Sequence, residues 1–134
     1  MVVLDASVVI AWAYEDTQGR LDALIRHVAA NFASVPAHWI LEVTNTLLKS
    51  ERRRRLKTGQ RQEILARIRS LPIRVDDETS LRGWEAIPAL AERFGLTTYD
   101  AAYLELALRF NVPLATLDQD LARAAREAGV PLFE

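Results

Sequence analysis

The segment Val2-Val3-Leu4-Asp5 decides the fold class, because a short apolar run that ends in an acid is typical of a buried β-strand. Residues 6–14 follow it directly with a helical pattern. Further short, mainly apolar segments at residues 33–35, 73–75 and within 112–117 are separated by helical stretches. Short strands that alternate with helices predict parallel pairing, with helices on both faces of the sheet. The expected fold is therefore an α/β/α three-layer sandwich with a short-stranded, mostly parallel central sheet.

The remaining elements are placed by signals at helix ends. Pro36 suits the first turn of a helix, Thr98 is a suitable N-cap residue, and Pro88 is expected to kink its helix. Helices are expected over residues 17–32, 36–55, 60–70, 80–94, 98–110 and 121–128, with a final short strand at 131–133. No repeat, linker or low-complexity tract divides the 134 residues, so we expect one domain over residues 1–134.

The composition limits the chemistry that the chain can perform. It contains no cysteine, which removes disulfides, thiolate metal sites and cysteine nucleophiles. His27 and His38, the only histidines, lie in no metal-binding motif and are interpreted as ordinary surface or core residues. We find no phosphate-binding glycine loop, nucleophile elbow, secretory signal or membrane-spanning stretch, so a soluble cytoplasmic protein is expected.

Four carboxylates in apolar surroundings are the remaining candidates for chemistry. They are Asp5, Glu42, Asp100 and Asp118. An acid in such a context has to be paired, to cap a helix or to face a cation. No basic residue was found within four positions of Asp5, Glu42 or Asp100, so local ion pairs do not explain them. Clustered carboxylates repel one another without a cation, and all-oxygen ligands suit Mg²⁺ or Mn²⁺.

Each of these acids also has a purely structural interpretation. Asp5 and Asp118 could each be the N-cap of the helix that follows, and Asp100 could interact with a helix dipole. Glu42 could point outward into solvent. Four such coincidences in one chain are less plausible than any one of them, which favours a shared site.

Four sequence blocks resemble the PIN domain and, within it, the VapC-type toxins of bacterial and archaeal toxin–antitoxin pairs. The blocks are Val3-Leu4-Asp5-Ala6-Ser7, Glu42-Val43-Thr44-Asn45-Thr46-Leu47, Thr97-Thr98-Tyr99-Asp100-Ala101-Ala102-Tyr103-Leu104-Glu105-Leu106-Ala107 and Leu114-Ala115-Thr116-Leu117-Asp118-Gln119-Asp120-Leu121. Each block alone is a weak signal. All four, in this order and in a chain of this length, are a strong one.

The resemblance implies a PIN fold and Mg²⁺-dependent endonucleolytic cleavage of RNA that leaves a 5′-phosphate and a 3′-hydroxyl. It implies that the four acids form the catalytic and metal-binding quartet. It further implies supporting roles for Ser7, Thr116 and Asn45, while Asp120 would assist the site or cap the last helix. A metal there would lower the pKa of a bound water, and the residues leave open whether one or two ions bind. A small cognate antitoxin and a homodimer are also implied.

Two surface features and two competing functions remain. The run Arg52-Arg53-Arg54-Arg55 is expected to end a helix in solvent, or to hold RNA or a partner's acids. Trp12, Trp39 and Trp84 could supply apolar surface for a dimer.

The competing functions are a PIN-type nuclease for RNA processing or DNA cleavage, and a non-enzymatic module that binds a partner. The net charge of −1 argues mildly against a nucleic-acid binder.

Overall fold

A computed structural model describes residues 1–14 and 19–133 of the chain. These residues form four β-strands and eight α-helices. In chain order the elements are β1 (Val2–Leu4), α1 (Ala6–Tyr14), α2 (Asp22–Asn31), β2 (Ala33–Val35), α3 (Trp39–Arg52), α4 (Gln60–Arg69), β3 (Ile73–Val75), α5 (Thr79–Arg82), α6 (Ala86–Phe94), α7 (Thr98–Phe110), β4 (Leu114–Ala115) and α8 (Gln119–Glu127). The predicted α/β fold is confirmed.

The four strands form one parallel sheet in the order β3-β2-β1-β4. The first three strands are added in one direction, and the chain then returns to place β4 on the other side of β1. The order therefore reverses between β1 and β4. In open α/β sheets, ligands bind beyond the carboxyl ends of the strands at such a reversal.

The core lies around β1, whose residues Val2, Val3 and Leu4 are 0% exposed. Helices α1, α3 and α4 pack together, and α6, α7 and α8 form a second group. Helix α7 lies directly against β1, β2 and β4, and its Tyr103 is completely buried. A fully buried strand thus fixes the position of Asp5, the residue that follows it.

Among the described residues, none of the helices has the length and apolar character that a membrane span requires.

Two expectations about helix-terminal residues were wrong. The chain breaks at residues 83–85, between α5 and α6, and not at Pro88. Pro88 lies in the first turn of α6, where backbone N–H groups make no hydrogen bond within the helix, so proline does not disrupt it there. The N-cap of α7 is Thr97 rather than Thr98, because the Thr97 hydroxyl accepts a hydrogen bond from the Asp100 amide at 3.1 Å.

Other element ends differ from the sequence predictions because turns take their place. The expected helix over 17–32 begins at Asp22 after a turn that includes Gly19, and residues 17–18 lie outside the described residues. The expected helix over 36–55 begins at Trp39 and ends at Arg52, because Arg54 adopts a left-handed conformation with φ 58°. The strand expected at 131–133 is reduced to a single bridge between Leu114 and Leu132.

The expectation of an apolar surface built from three tryptophans was also wrong. Trp39 is 5% exposed and belongs to the core, and Trp12 is partly buried beneath the Arg67 guanidinium. Trp84 is 83% exposed, near Leu81 at 69%. An exposed apolar surface therefore remains, but it lies on α5 and the turn that follows it.

Candidate active site

All four predicted carboxylates line one open pocket of about 450 Å³. Asp5 follows β1, Glu42 lies in the first turn of α3, Asp100 lies in the first turn of α7, and Asp118 precedes α8. The pocket lies where β1 and β4 end, at the reversal of strand order. The parallel sheet therefore brings together acids that are far apart in sequence.

Asp5 is the most buried acid of the pocket, with 5% of its surface exposed. Its Oδ2 accepts hydrogen bonds from the Thr116 hydroxyl at 2.6 Å and the Ser7 hydroxyl at 2.8 Å. Burial raises the pKa of the Asp5 carboxyl above its usual range, although these two hydroxyls lower it. The hydrogen bonds that the Asp5 carboxylate accepts from the described residues come from hydroxyls and not from a backbone amide of α1, which does not support the N-cap interpretation.

Asp118 has both a capping and a pocket position. Its Oδ1 accepts a hydrogen bond from the Leu121 amide at 2.8 Å, so the structural prediction of an N-cap for α8 is correct. The Thr116 hydroxyl also accepts a hydrogen bond from the Asp118 amide at 3.0 Å. Because the cap uses one carboxylate oxygen, the same side chain can cap the helix and line the pocket.

Asp100 carries the clearest electrostatic signature. Burial raises the pKa of its carboxyl to about 6, and the neighbouring carboxylates of Asp118, Asp5 and Glu42 raise it in the same direction. The N-cap of α7 is the Thr97 side chain, so the Asp100 carboxylate is not needed to cap this helix. The effect of the other three carboxylates on its pKa shows that the Asp100 carboxylate faces them across the pocket.

Glu42 is held by two residues that the sequence analysis did not assign to the site. Its Oε1 accepts a hydrogen bond from the Tyr103 hydroxyl at 2.8 Å and lies 2.9 Å from His38 Nε2. The same His38 nitrogen lies 3.0 Å from the Tyr99 carbonyl oxygen. With acceptors on both contacts, Nε2 carries the proton, and His38 joins the beginning of α3 to the beginning of α7.

The interpretation of His38 as an ordinary residue was therefore wrong, as was the statement that no basic residue lies within four positions of Glu42. His38 precedes Glu42 by four residues, a spacing that places both on one helical face. The helical spacing is the signal that would have identified it.

The predicted supporting residues have different positions. Ser7 and Thr116 contact Asp5 directly. Asn45 and Asp120 are exposed and do not appear among the residues that line the pocket. Thr46, four residues after Glu42, occupies the lining position expected of Asn45, because a spacing of four keeps a helical residue closer to the same face than a spacing of three.

The donor set of the pocket fits a hard divalent cation. Its polar side chains are carboxylates and hydroxyls, and no lysine or arginine of the described residues lines it. Burial raises the pKa of Asp100 most, and the negative charges of the other three acids add to the rise; a cation would relieve that repulsion. A larger groove of about 540 Å³ between α3, α4 and β3 is mainly apolar and contains no acid, so it does not offer this chemistry.

A tighter acidic group lies elsewhere and has a different explanation. Within residues 1–14 and 19–133, only Asp76, Asp77 and Glu78 bring three carboxylate oxygens within 4.8 Å of one another. Arg109 binds Asp76 at 2.7 Å and Glu78 at 3.2 Å. Burial tends to raise the pKa of Asp76, but hydrogen bonds led by that from Arg109 lower it overall. Arginine already supplies the compensating charge, so this group is an ion-pair network.

We predict that Tyr103→Phe and His38→Ala each slow a reaction at this pocket, because Glu42 loses a partner that fixes its orientation. Loss of a hydrogen bond behind a catalytic or metal-binding side chain typically costs about 10- to 100-fold in activity or metal affinity. Steady-state kinetics should show the loss in kcat more than in KM. His38→Gln, which keeps an N–H donor, should recover part of it.

Tyr14→Phe is the matched control, because the Tyr14 hydroxyl donates to the Arg55 carbonyl oxygen at 3.2 Å, outside the pocket. It should keep the parent kcat. Equal kcat for Tyr103→Phe and Tyr14→Phe, with both proteins folded in a thermal melt, would refute the positioning role.

Comparisons with known proteins agree with the fold. The family model for the PIN domain matches residues 2–127. The crystal structure of PAE2754 from Pyrobaculum aerophilum is similar, with a TM-score of 0.67, 23% sequence identity and coverage of 92% of this chain and 83% of that chain. The crystal structure of FitAcB from Neisseria gonorrhoeae is similar with a TM-score of 0.66, 18% identity and coverage of 100% and 97%. No curated protein sequence matches. Because the family model spans almost the whole chain, the protein belongs to the PIN domain family.

Proposed function

We propose that this protein is a metal-dependent endoribonuclease that hydrolyses phosphodiester bonds with an activated water. PIN domains are typically metal-dependent nucleases. The observation that carries the proposal is the convergence of four carboxylates from separate elements on one pocket that no lysine or arginine of the described residues lines. We assign the catalytic and metal-binding roles to Asp5, Glu42, Asp100 and Asp118, with residues 1–134 acting as one nuclease domain.

Each carboxylate has a part that follows from its surroundings. Asp5, fixed by two hydroxyls behind a buried strand, provides a rigid ligand. Asp100 and Asp118 close the pocket from two other helices. Glu42, held through Oε1, keeps its second oxygen for a cation or for the attacking water. A bound Mg²⁺ or Mn²⁺ would supply the charge that acidifies this water and offsets charge on the phosphate.

The surface around the pocket fits an unpaired strand. Leu41, Tyr99 and Leu117 are 71%, 66% and 54% exposed, and each directly precedes one of the acids. The Tyr99 ring offers a surface on which an unpaired base can stack, and the two leucines offer apolar contact. The choice of RNA over DNA rests on the resemblance of the four sequence blocks to VapC-type toxins.

The chemistry predicts the ends of the product. With Mg²⁺ or Mn²⁺, purified protein should cleave single-stranded RNA to give a 5′-phosphate and a 3′-hydroxyl, and chelator should stop the reaction. Since water is the nucleophile, a 2′-deoxy substitution at the cleaved position should leave cleavage intact. End-labelled RNA and gel electrophoresis measure both. A 2′,3′-cyclic phosphate product, or undiminished cleavage in chelator, would contradict the proposal.

We further propose that the enzyme is the toxin of a toxin–antitoxin pair, again on the basis of that resemblance. A small antitoxin would cover the acidic pocket and place an arginine or lysine among the carboxylates. The exposed pair Leu81 and Trp84 is the surface we assign to a homodimer. Expression of the protein alone should arrest growth, and co-expression of a small inhibitory partner that co-purifies with it should restore growth.

A further inference from the structure

Helix α3 carries one face of side chains out of the pocket toward a cluster of positive charge. Glu42 and Thr46 line the pocket, Lys49 continues the same face, and Arg53, the C-cap residue of α3, follows Lys49 by four positions. At 100° per residue, these four positions lie within an arc of about 60°. The rise along the helix from Glu42 to Arg53 is roughly 16 Å.

The positive end of this face has little internal compensation. Lys49 and the four residues of Arg52-Arg53-Arg54-Arg55 are exposed. None of the five forms an ion pair with an acid of residues 1–14 or 19–133. Arg61, by contrast, binds Glu51 at 2.8 Å. The cations along this face are thus available to an external anion.

We propose that Lys49 and Arg53, supported by the neighbouring arginines, form a binding site for the sugar–phosphate backbone of single-stranded RNA. The inference rests on the proposed function. The pocket itself repels phosphate, because its polar side chains are carboxylates and hydroxyls. Cations beside it supply the attraction that the pocket lacks. A strand that leaves the pocket along this face would pass Lys49 after roughly 10 Å and Arg53 after roughly 16 Å.

The test compares Lys49→Gln/Arg53→Gln with the parent, both carrying Asp100→Asn to prevent cleavage. The probe is fluorescent single-stranded oligouridylate of roughly 12 nucleotides, and anisotropy gives Kd over a series of salt concentrations. Each phosphate contact contributes about 0.7 to the salt slope of a single strand, so two lost contacts should lower it by about 1.4. If the parent and the variant bind equally at 1 M salt, the variant should bind roughly 25-fold more weakly than the parent at 0.1 M salt.

The matched control is Arg26→Gln/Arg126→Gln, which removes the same charge from exposed positions on α2 and α8. It should bind as the parent does.

An equal salt slope for the α3 variant and the control would overturn this inference, and the proposed function would stand if the protein with Asp100 still cleaves RNA. No binding by the parent would overturn the inference, and no cleavage by the protein with Asp100 would overturn the proposed function. A drop in slope for both variants would also refute the site, since it would show a general effect of net charge.

Discussion

Asp100→Asn is expected to abolish RNA cleavage while leaving the metal-free protein as stable as the parent or more stable. The substitution keeps the size of the side chain and removes one of four like charges. Burial and the other three acids hold the pKa of Asp100 at about 6, so its ionisation is unfavourable in the folded protein. The N-cap of α7 is supplied by Thr97 and does not depend on this carboxylate. A neutral amide is also a poorer ligand for Mg²⁺.

Thermal melts in chelator and in Mg²⁺, beside a cleavage assay, measure this expectation. Asp22→Asn is the matched control, because Asp22 also lies in the first turn of a helix but is exposed and outside the pocket. It should keep cleavage and lose about 0.3–1 kcal/mol of stability as a helix-dipole contact. An Asp100→Asn protein that is less stable in chelator and cleaves at the parent rate would refute the assignment of Asp100.

Mg²⁺ or Mn²⁺ is expected to raise the melting temperature strongly at pH 7.5 and weakly at pH 5. A cation binds ionised carboxylates, and the pKa of Asp100 near 6 lies between these two values. Ion concentrations about 100-fold above Kd stabilise a folded protein by about 2.7 kcal/mol, or on the order of 10 °C for a domain of this size. RNA cleavage should rise over the same pH interval.

The metal-free protein should show the opposite dependence on pH. The folded-state pKa of Asp100 lies above its ordinary value of 3.8, so protonation favours the folded state. This contribution is complete below about pH 4 and is lost as the pH rises through about 6. Burial raises the pKa of Asp5 in the same direction. Differential scanning calorimetry with chelator and with Mg²⁺ measures both curves, and a metal effect as large at pH 5 as at pH 7.5 would contradict the proposed ligands.

Some of this arrangement could be predicted from sequence for a clear physical reason. In a parallel sheet the carboxyl ends of the strands share one edge, so acids that follow strands, such as Asp5 after β1 and Asp118 shortly after β4, lie at that edge. The strand limits Val2–Leu4, Ala33–Val35 and Ile73–Val75 were predicted correctly, because each is a short, mainly apolar segment next to a turn or a helix start. The positions of Glu42 and Asp100 followed from the family resemblance.

The rest depends on tertiary contacts that local patterns do not contain. Tyr103 is apolar enough to be predicted as core, and nothing in its neighbours indicates that its hydroxyl reaches Glu42, 61 residues away. The left-handed Arg54 ends α3 earlier than helix propensity suggests, because the chain there has to turn toward α4. Asn45 and Thr46 are both polar; the spacing of four from Glu42 favours Thr46, and the orientation of α3 then decides that this face lines the pocket.

The hydrogen bond between Thr116 and Asp5 closes a loop of 111 residues. During synthesis, Asp5 leaves the ribosome long before Thr116 and Asp118 exist, and β1 cannot complete its pairing until β4 is made. Contacts this distant in sequence slow folding, because the chain entropy of loop closure opposes them. A chain that ends before β4 lacks the Thr116 hydroxyl and Asp118, so the carboxylate pocket is complete only after residue 118 has been made.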